Sequence, residues 1–335
     1  MFYIGRFPEP YGGVTIKNDM LYDLISETTK INKFNTSILK ENKICGYISL
    51  VMFVIKNRNK RGFIGVSTNS LMKLIKVIDF ISPQMLKKVK IFAMGGTLHK
   101  VIKSDNNKRL LCNVNKIYVE IDDIKQGLNK LGIENVETIP NCRRMPNSRS
   151  FKELENNTQK AVFFSRINEE KGVKLIFQAN KELLNKSIKV DIDFYGPIDE
   201  DFKSYFFEEI NNFENLNYKG VINSNKVDLY NTLNRYDMLL FPTQYVGEGF
   251  PGVLTEAKIA GIPAIVTDWL HNSEIIKDKI DGIVLKKNDY NNLANEIEFL
   301  LQNKELLGKY RYNSYCSANK YFIENYINEI IYNWE

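Results

Sequence analysis

Short apolar runs alternate with longer amphipathic stretches along almost the whole chain, and that alternation constrains the fold more than any other sequence feature. In the first half the strand-like runs are Phe2-Tyr-Ile4, Gly62-Phe-Ile-Gly-Val66, Val89-Lys-Ile-Phe-Ala93, Ile117-Tyr-Val119 and Val136-Glu-Thr-Ile139. In the second half they are Ala161-Val-Phe-Phe164, Val190 to Tyr195, Leu216-Asn-Tyr218, Met238-Leu-Leu-Phe241, Ala264-Ile-Val266 and Ile283-Val-Leu285. Strands that alternate with helices close into a parallel sheet covered on both faces. A chain of 335 residues is long for one core, so two such series predict two doubly wound, Rossmann-like α/β domains. The polar, Pro-containing stretch from Asn141 to Ser150 reads as the linker. The expected division is 1–150, then 151–312, with 313–335 as a closing helix. The longest apolar run, Ile44 to Ile55, is too short to span a bilayer and is read as a buried crossover helix.

Composition excludes several classes. Four scattered cysteines without a C-x-x-C pair fit a reducing compartment and argue against a disulfide framework or a zinc site. The N-terminus lacks the long apolar stretch of a signal peptide. Charge is divided unevenly: residues 1–150 hold 25 Lys+Arg against 12 Asp+Glu, and residues 151–335 hold 21 against 28. Lys56, Arg58, Lys60, Arg61, Lys73, Lys76, Lys87, Lys88 and Lys90 carry much of the excess. It predicts an anionic partner for the first half, either a membrane surface or a pyrophosphate-linked lipid. No groove-reading or base-stacking module is present, so nucleic acid is not expected.

The segment Gly247-Glu248-Gly249-Phe250-Pro251-Gly252-Val253-Leu254-Thr255-Glu256 follows the strand-like run Asp237 to Pro242 and runs into a helical pattern. It therefore lies at the carboxyl edge of a parallel sheet, where ligands of open α/β sheets bind. The free N–H groups of a helix start suit a phosphate, and two carboxylates suit sugar or ribose hydroxyls. A nucleotide-sugar offers both. Gly12-Gly13, between the first strand and the following helix, allows close backbone approach to a phosphate or an acceptor.

This segment resembles the signature of the retaining glycosyltransferases of family 4, which have the GT-B fold. Other pieces match in order: Phe163-Phe-Ser-Arg166-Ile-Asn-Glu-Glu-Lys171-Gly172-Val173, then Ile192 to Gly196-Pro197, then Asn217-Tyr-Lys-Gly220-Val221, and last Thr267-Asp268, Glu274-Ile-Ile276 and Gly282-Ile-Val284. Together they cover about residues 160–285. The first half matches more weakly, through Pro8-Glu-Pro-Tyr-Gly12-Gly13-Val14. The resemblance is to bacterial enzymes that build capsule or O-antigen polysaccharide.

The resemblance implies two GT-B domains facing across a cleft, with the last helix crossing back to the N-terminal domain. It implies that the first domain takes the acceptor and the second a nucleoside diphosphate sugar, with uracil the expected base. Arg166 and Lys171 clamp the diphosphate, Glu248 holds the donor sugar, and Glu256 accepts from the ribose. Gly12, Gly13, Gly196, Val221, Gly249, Phe250, Pro251, Gly252 and Val253 line the donor. His99, in Met94-Gly-Gly-Thr-Leu-His99, is a candidate sugar or acceptor contact; a structural role is the plainer reading. Transfer with retention needs neither a protein nucleophile nor a metal cofactor. Asp191-Ile-Asp193 has the D-x-D pattern of metal-dependent transferases but lies within a strand and is not taken as a metal site. His271 reads as a loop residue. The expected acceptor is a saccharide or a lipid-diphosphate-linked saccharide, and the expected place is the cytoplasm, peripheral on the inner face of the cytoplasmic membrane. The alternatives are an inactive GT-B partner subunit and, behind it, a nucleotide-sugar epimerase on the same fold.

Overall fold

In the computed structural model the two series of strands form two separate six-stranded sheets, each entirely parallel. The structure describes residues 1–9, 12–151, 153, 159–222 and 229–334. The first sheet contains β1 (Phe2–Gly5), β2 (Asn32–Asn35), β3 (Gly62–Ser67), β4 (Val89–Met94), β5 (Lys116–Val119) and β6 (Val136–Thr138), in the order β2-β1-β3-β4-β5-β6. The second contains β7 (Lys160–Phe164), β8 (Asp191–Tyr195), β9 (Leu216–Tyr218), β10 (Met238–Phe241), β11 (Ala264–Thr267) and β12 (Gly282–Leu285), in the order β12-β11-β10-β7-β8-β9. Strand order reverses between β1 and β3 in the first sheet and between β7 and β10 in the second. Those two switch points open a crevice at the carboxyl edge of each sheet.

By its contacts the chain divides into two units. Unit 1 holds Met1–Met145, Gly247–Phe250 and Tyr321–Glu335; unit 2 holds Pro146–Val246 and Pro251–Lys320. The break near residue 145 lies five residues before the expected one. Two segments depart from a simple division into halves. The four residues from Gly247 to Phe250 belong to unit 1 although their neighbours on both sides belong to unit 2. In place of one closing helix over 313–335, the helix Lys304–Ser317 stays in unit 2, a 3-10 turn, Ala318–Tyr321, follows it, and a second 3-10 turn, Ile323–Tyr326, and a π-helical turn, Asn328–Tyr332, lie in unit 1.

In unit 1 the helix Gly13–Ser26 and the last residues cover one face of the sheet. Tyr3, Phe63, Phe92 and Tyr118 from that face pack with Leu21, Ile25, Ile330 and Trp334. The helices Lys43–Asn57, Thr68–Ile81 and Asp122–Lys130 cover the other face, over Ile4, Ile64, Ile91 and Ile117. Lys90 corrects the charge reading. It is fully buried in β4, not a surface cation, and its ammonium donates to the Glu329 and Ile330 carbonyls at 2.6 and 2.9 Å. Burial pulls its pKa down to about 8. A cation against terminal carbonyls completes their hydrogen bonding and ties the last turn to the sheet. β2 was absent from the expected strands because Asn32-Lys-Phe-Asn35 carries one apolar residue; as an edge strand it needs to bury only Phe34.

In unit 2 the helix Val173–Asn185 packs on the helix Tyr290–Gln302, and the helix Gly252–Ala260 packs on Lys304–Ser317. Beside the second pairing lies a buried ion pair between the helix Gly252–Ala260 and the loop before β12. Lys258 donates to Asp281 at 2.6 Å and to the Ser317 hydroxyl at 3.0 Å, with both charged side chains almost wholly covered. Removing one partner of a buried pair strands the other charge, so Lys258→Met should lower stability by about 3–5 kcal/mol in denaturant titration. The double variant Lys258→Met/Asp281→Asn should recover part of that loss.

Candidate functional site

The switch point of unit 2 gathers the segments that the sequence singled out. β7 ends at Phe164, and the next loop carries Arg166 and Lys171. β10, its neighbour, ends at Phe241 and leads toward the helix Gly252–Ala260. The first loop is a built turn. The Ile167 amide donates to the Pro197 carbonyl at 2.9 Å, and the Asp199 amide returns a bond to the Ile167 carbonyl at 3.1 Å. The Asn168 side chain accepts from the Lys171 amide at 3.0 Å and donates to Asp199 at 2.8 Å. The Arg166 guanidinium lies 3.6 Å from Asp199, with both groups well exposed, so it is steered by that carboxylate and weakly held.

Lys171 points over aromatic rings from the end of β10 and the loop after it, 5.4 Å from the centre of Phe241 and 4.8 Å from that of Tyr245. The two loops are also joined through backbone. The Gln244 amide donates to the Glu170 carbonyl at 2.8 Å, and Gly172 packs directly on Pro242. Gly172 has φ +80°, and a Cβ there would fall 2.1 Å from the Pro242 carbonyl oxygen. Glycine is the residue that permits both the left-handed turn and the close approach. Gly196 is constrained in the same way, with φ +142° and a would-be Cβ 1.8 Å from the Ser165 carbonyl oxygen, just before Arg166.

Pro251 caps the helix Gly252–Ala260, whose first turn faces the same sheet edge; Val253 is buried in it, while Glu256 is half-buried one turn in. A helix start presents amide donors to an anion, and a carboxylate one turn further can accept from hydroxyls. Val221 lies farther out, exposed beyond β9. The D-x-D pair lies within β8, where Asp193 accepts from the Tyr236 hydroxyl at 2.7 Å and pairs with Lys219 at 3.7 Å. Its side chain is thus engaged in holding β8 to its surroundings. His271, 2.6 Å from Glu274, belongs to the loop after β11. A surface cavity of about 280 Å³ lined by Asp268, Asp278 and Lys286 sits beside β11 and β12, off the switch point.

In unit 1 Gly12 begins the helix Gly13–Ser26, its amide donating to Thr15 at 2.9 Å. Neither Gly12 nor Gly13 has a positive φ, and a Cβ on either would meet nothing within 4 Å among the described residues. The protein's own packing does not demand glycine there. Pro10 and Tyr11, part of the same motif, lie outside the described residues. Asn18 locks the start of this helix to the switch point: its amide donates to the Arg6 and Gly65 carbonyls at 2.9 and 3.0 Å, and its oxygen accepts from the Tyr3 hydroxyl at 2.8 Å.

Beside it Lys17 donates to Glu120, just past β5, at 2.6 Å, and both side chains are at least nine-tenths buried. The second oxygen of Glu120 accepts from the Gly95 amide at 3.4 Å. The Gly95-Gly96 turn is where Gly249 rests; a Cβ on Gly249 would lie 3.0 Å from the Gly95 Cα. Asn141 donates to the Phe250 carbonyl at 2.9 Å, and the Phe250 ring meets Tyr321 edge-on at 5.7 Å. Glu248 is half-buried in this docked loop. His99 lies with its ring against Gly127, where a Cβ would come within 2.8 Å of the imidazole, so packing on the helix Asp122–Lys130 fixes its place.

The structure therefore brings Arg166, Lys171, Gly196, Pro251, Gly252, Val253 and Glu256 to one sheet edge of unit 2. It places Gly12, Gly13, His99, Glu248, Gly249 and Phe250 in unit 1. Sequence reasoning did not find Lys17, Asn18, Glu120 or Asn141. A signal was available: Lys17 and Asn18 fall in helical register with Leu21, Leu24 and Ile25, so polar residues occupy core-facing positions.

Residues 145–316, about half the chain, match the family model described as glycosyl transferases group 1. The chain belongs to that family. An uncharacterized 41.2 kDa protein in the cps region of Klebsiella pneumoniae is 24% identical over 313 residues, covering 89% of this chain and 80% of that protein. A UDP-Gal:alpha-D-GlcNAc-diphosphoundecaprenol alpha-1,3-galactosyltransferase from Escherichia coli is 23% identical over 224 residues, covering 66% of this chain and 55% of that one. Among solved structures, HepE of Anabaena in complex with UDP superposes with a TM-score of 0.74 at 13% identity, covering 98% and 97% of the two chains. The lipopolysaccharide outer core galactosyltransferase WaaB gives 0.68 at 16% identity over 98% of each. The glycosyltransferase thus has the GT-B fold, as the resemblance implied.

The glycines differ in what their own surroundings demand of them. Gly172→Ala in this glycosyltransferase should cost several kcal/mol of stability, by clash and by the left-handed φ. Gly12→Ala should leave the melting temperature within a degree or two and impair turnover. Equal melting losses in the two variants would contradict this assignment.

Proposed function

We propose that this glycosyltransferase moves a sugar from a UDP-sugar to a saccharide or lipid-diphosphate-linked saccharide during assembly of a bacterial surface polysaccharide, with retention of the anomeric configuration and without a metal. The observation that carries the reading is the convergence at the β7/β10 edge: one loop with Arg166 and Lys171, and the start of a helix that carries Glu256. A departing nucleoside diphosphate develops negative charge, and fixed cations with helix-start amides are what stabilise it. In this reading Arg166 and Lys171 bind the diphosphate, with amides of Gly252 and Val253, and Glu256 accepts from the ribose.

For unit 1 the proposal gives Glu248 the donor sugar hydroxyls. Gly12 and Gly13 allow close backbone approach, for which their open surroundings leave room. His99, whose ring rests on Gly127, is given a structural part as the plainer reading. The acceptor hydroxyl attacks from the leaving-group side, and a donor phosphate oxygen takes its proton, so no enzyme nucleophile is required. Support for the donor and pathway comes from the relatives: a UDP-galactose-dependent transferase, a cps-region protein and a UDP complex of the same fold.

The test separates the two glutamates. With chelator present throughout, Glu248→Gln should abolish transfer while UDP affinity, measured calorimetrically, stays within about twofold. Glu256→Ala should weaken UDP binding by about 1–3 kcal/mol, the scale of a lost charged hydrogen bond. Normal turnover in Glu248→Gln, or transfer that stops with chelator and returns with manganese, would contradict the proposal.

A further inference from the structure

The helix Lys43–Asn57 was expected to be a buried crossover, and the structure shows otherwise. It is apolar around nearly its whole circumference. One face is buried: Leu50 and Val54 join the core over the sheet, and Gly46 packs on the backbone of Ile38 and Leu39. The opposite face carries Ile44, Tyr47, Ile48, Met52 and Ile55, which are 76, 45, 53, 59 and 46% exposed. Their spacing at i, i+3/i+4, i+8 and i+11 makes one continuous stripe along three turns. Apolar residues scattered singly on a surface need no explanation, but a stripe of this kind marks an interaction face.

The charges around the stripe indicate what covers it. Between residues 42 and 61 there are five Lys or Arg and no Asp or Glu. Lys43 lies at the start of the helix, Lys56 in its last turn, and Arg58, Lys60 and Arg61 just after it; all five are exposed. The adjacent helix Thr68–Ile81 adds exposed Lys73, Lys76 and Phe80, the last 91% exposed. A second copy of this chain would bring cations against cations. An apolar stripe rimmed by cations instead complements a bilayer surface that offers acyl chains below and anionic headgroups above. Long basic side chains can lay their stems on the apolar boundary and leave their charges among phosphates.

We propose that the helix Lys43–Asn57 lies in the interface of an anionic lipid bilayer and anchors unit 1 there, apolar stripe inward. Among the described residues no helix is long and apolar enough to cross a membrane, so the contact is peripheral. The proposal is independent of the transferred sugar, and it moves the docking surface away from Lys90, which is buried.

The test uses the full chain with vesicles of phosphatidylcholine alone or with 30% phosphatidylglycerol, containing no glycolipid, so failure of the sugar-transfer reading leaves the result untouched. The wild type should co-sediment with the anionic vesicles and be released by salt. Ile48→Glu/Met52→Glu should lower partitioning on the order of tenfold or more, since two large apolar contacts are lost. Lys56→Glu/Arg58→Glu should do the same through charge. Both variants alter exposed side chains, and unchanged melting temperatures show that they remain folded. Binding equal with and without anionic lipid, no binding by the wild type, or unchanged binding in the Ile48/Met52 variant overturns the proposal. So does a wild-type dimer in solution that the same variant dissociates, which assigns the stripe to a second copy.

Discussion

A parallel sheet gathers all its strand-to-helix loops at one edge, and the reversal of strand order between β7 and β10 leaves one place on that edge where two loops diverge. The edge of unit 2 depends on the contact that holds those loops together there. Gly172 turns left-handed against the Pro242 carbonyl, and the Glu170 carbonyl accepts from the β10 loop. This fixes where the Arg166–Lys171 turn ends and the helix Val173–Asn185 begins. A side chain at residue 172 would push the loops apart and take Lys171 off the Phe241 and Tyr245 rings.

Unit 1 is organised by polar groups where apolar ones would pack more simply. Asn18 bridges the ends of β1 and β3, and Lys17 with Glu120 bridges the start of the first helix to the loop after β5. Burying a charged pair gives little or no net stability relative to an apolar replacement. What it gives here is position: Glu120 reaches the amide of Gly95, on whose turn the Gly247–Phe250 loop rests. Glu248 is therefore placed by unit 1, while Glu256, eight residues on, is placed by the helix Gly252–Ala260 of unit 2.

Much of this was legible in the sequence, because strand and helix periodicities differ and parallel strands run nearly unbroken in apolar residues. Among the described residues eleven of the twelve strands lie on apolar runs legible in the sequence; Asn32–Asn35 does not, since an edge strand can be polar. The loop carrying Arg166 and Lys171 and the helix start carrying Glu256 were also legible, because glycine and proline punctuate them. Three things were not legible. Local pattern does not say that four residues of a loop pack with a different unit. Lys90 looks like its neighbours Lys87 and Lys88, and only the tertiary fold puts the C-terminal carbonyls over it. The helix Lys43–Asn57 is apolar on two faces, and periodicity alone cannot tell a face that meets a sheet from one left exposed.

The central claim is that the β7/β10 edge of unit 2 holds a nucleoside diphosphate, and thermal unfolding against a panel of UDP, GDP, ADP and TDP tests it most directly. A ligand that binds only the folded state at about a hundred times its Kd adds about 2.7 kcal/mol, which for a chain of this size is a shift of several degrees. The account predicts that UDP raises the melting temperature more than the other three and that Arg166→Ala/Lys171→Ala removes the shift. A shift fully retained in that double variant, or none with any of the four nucleotides, would contradict it.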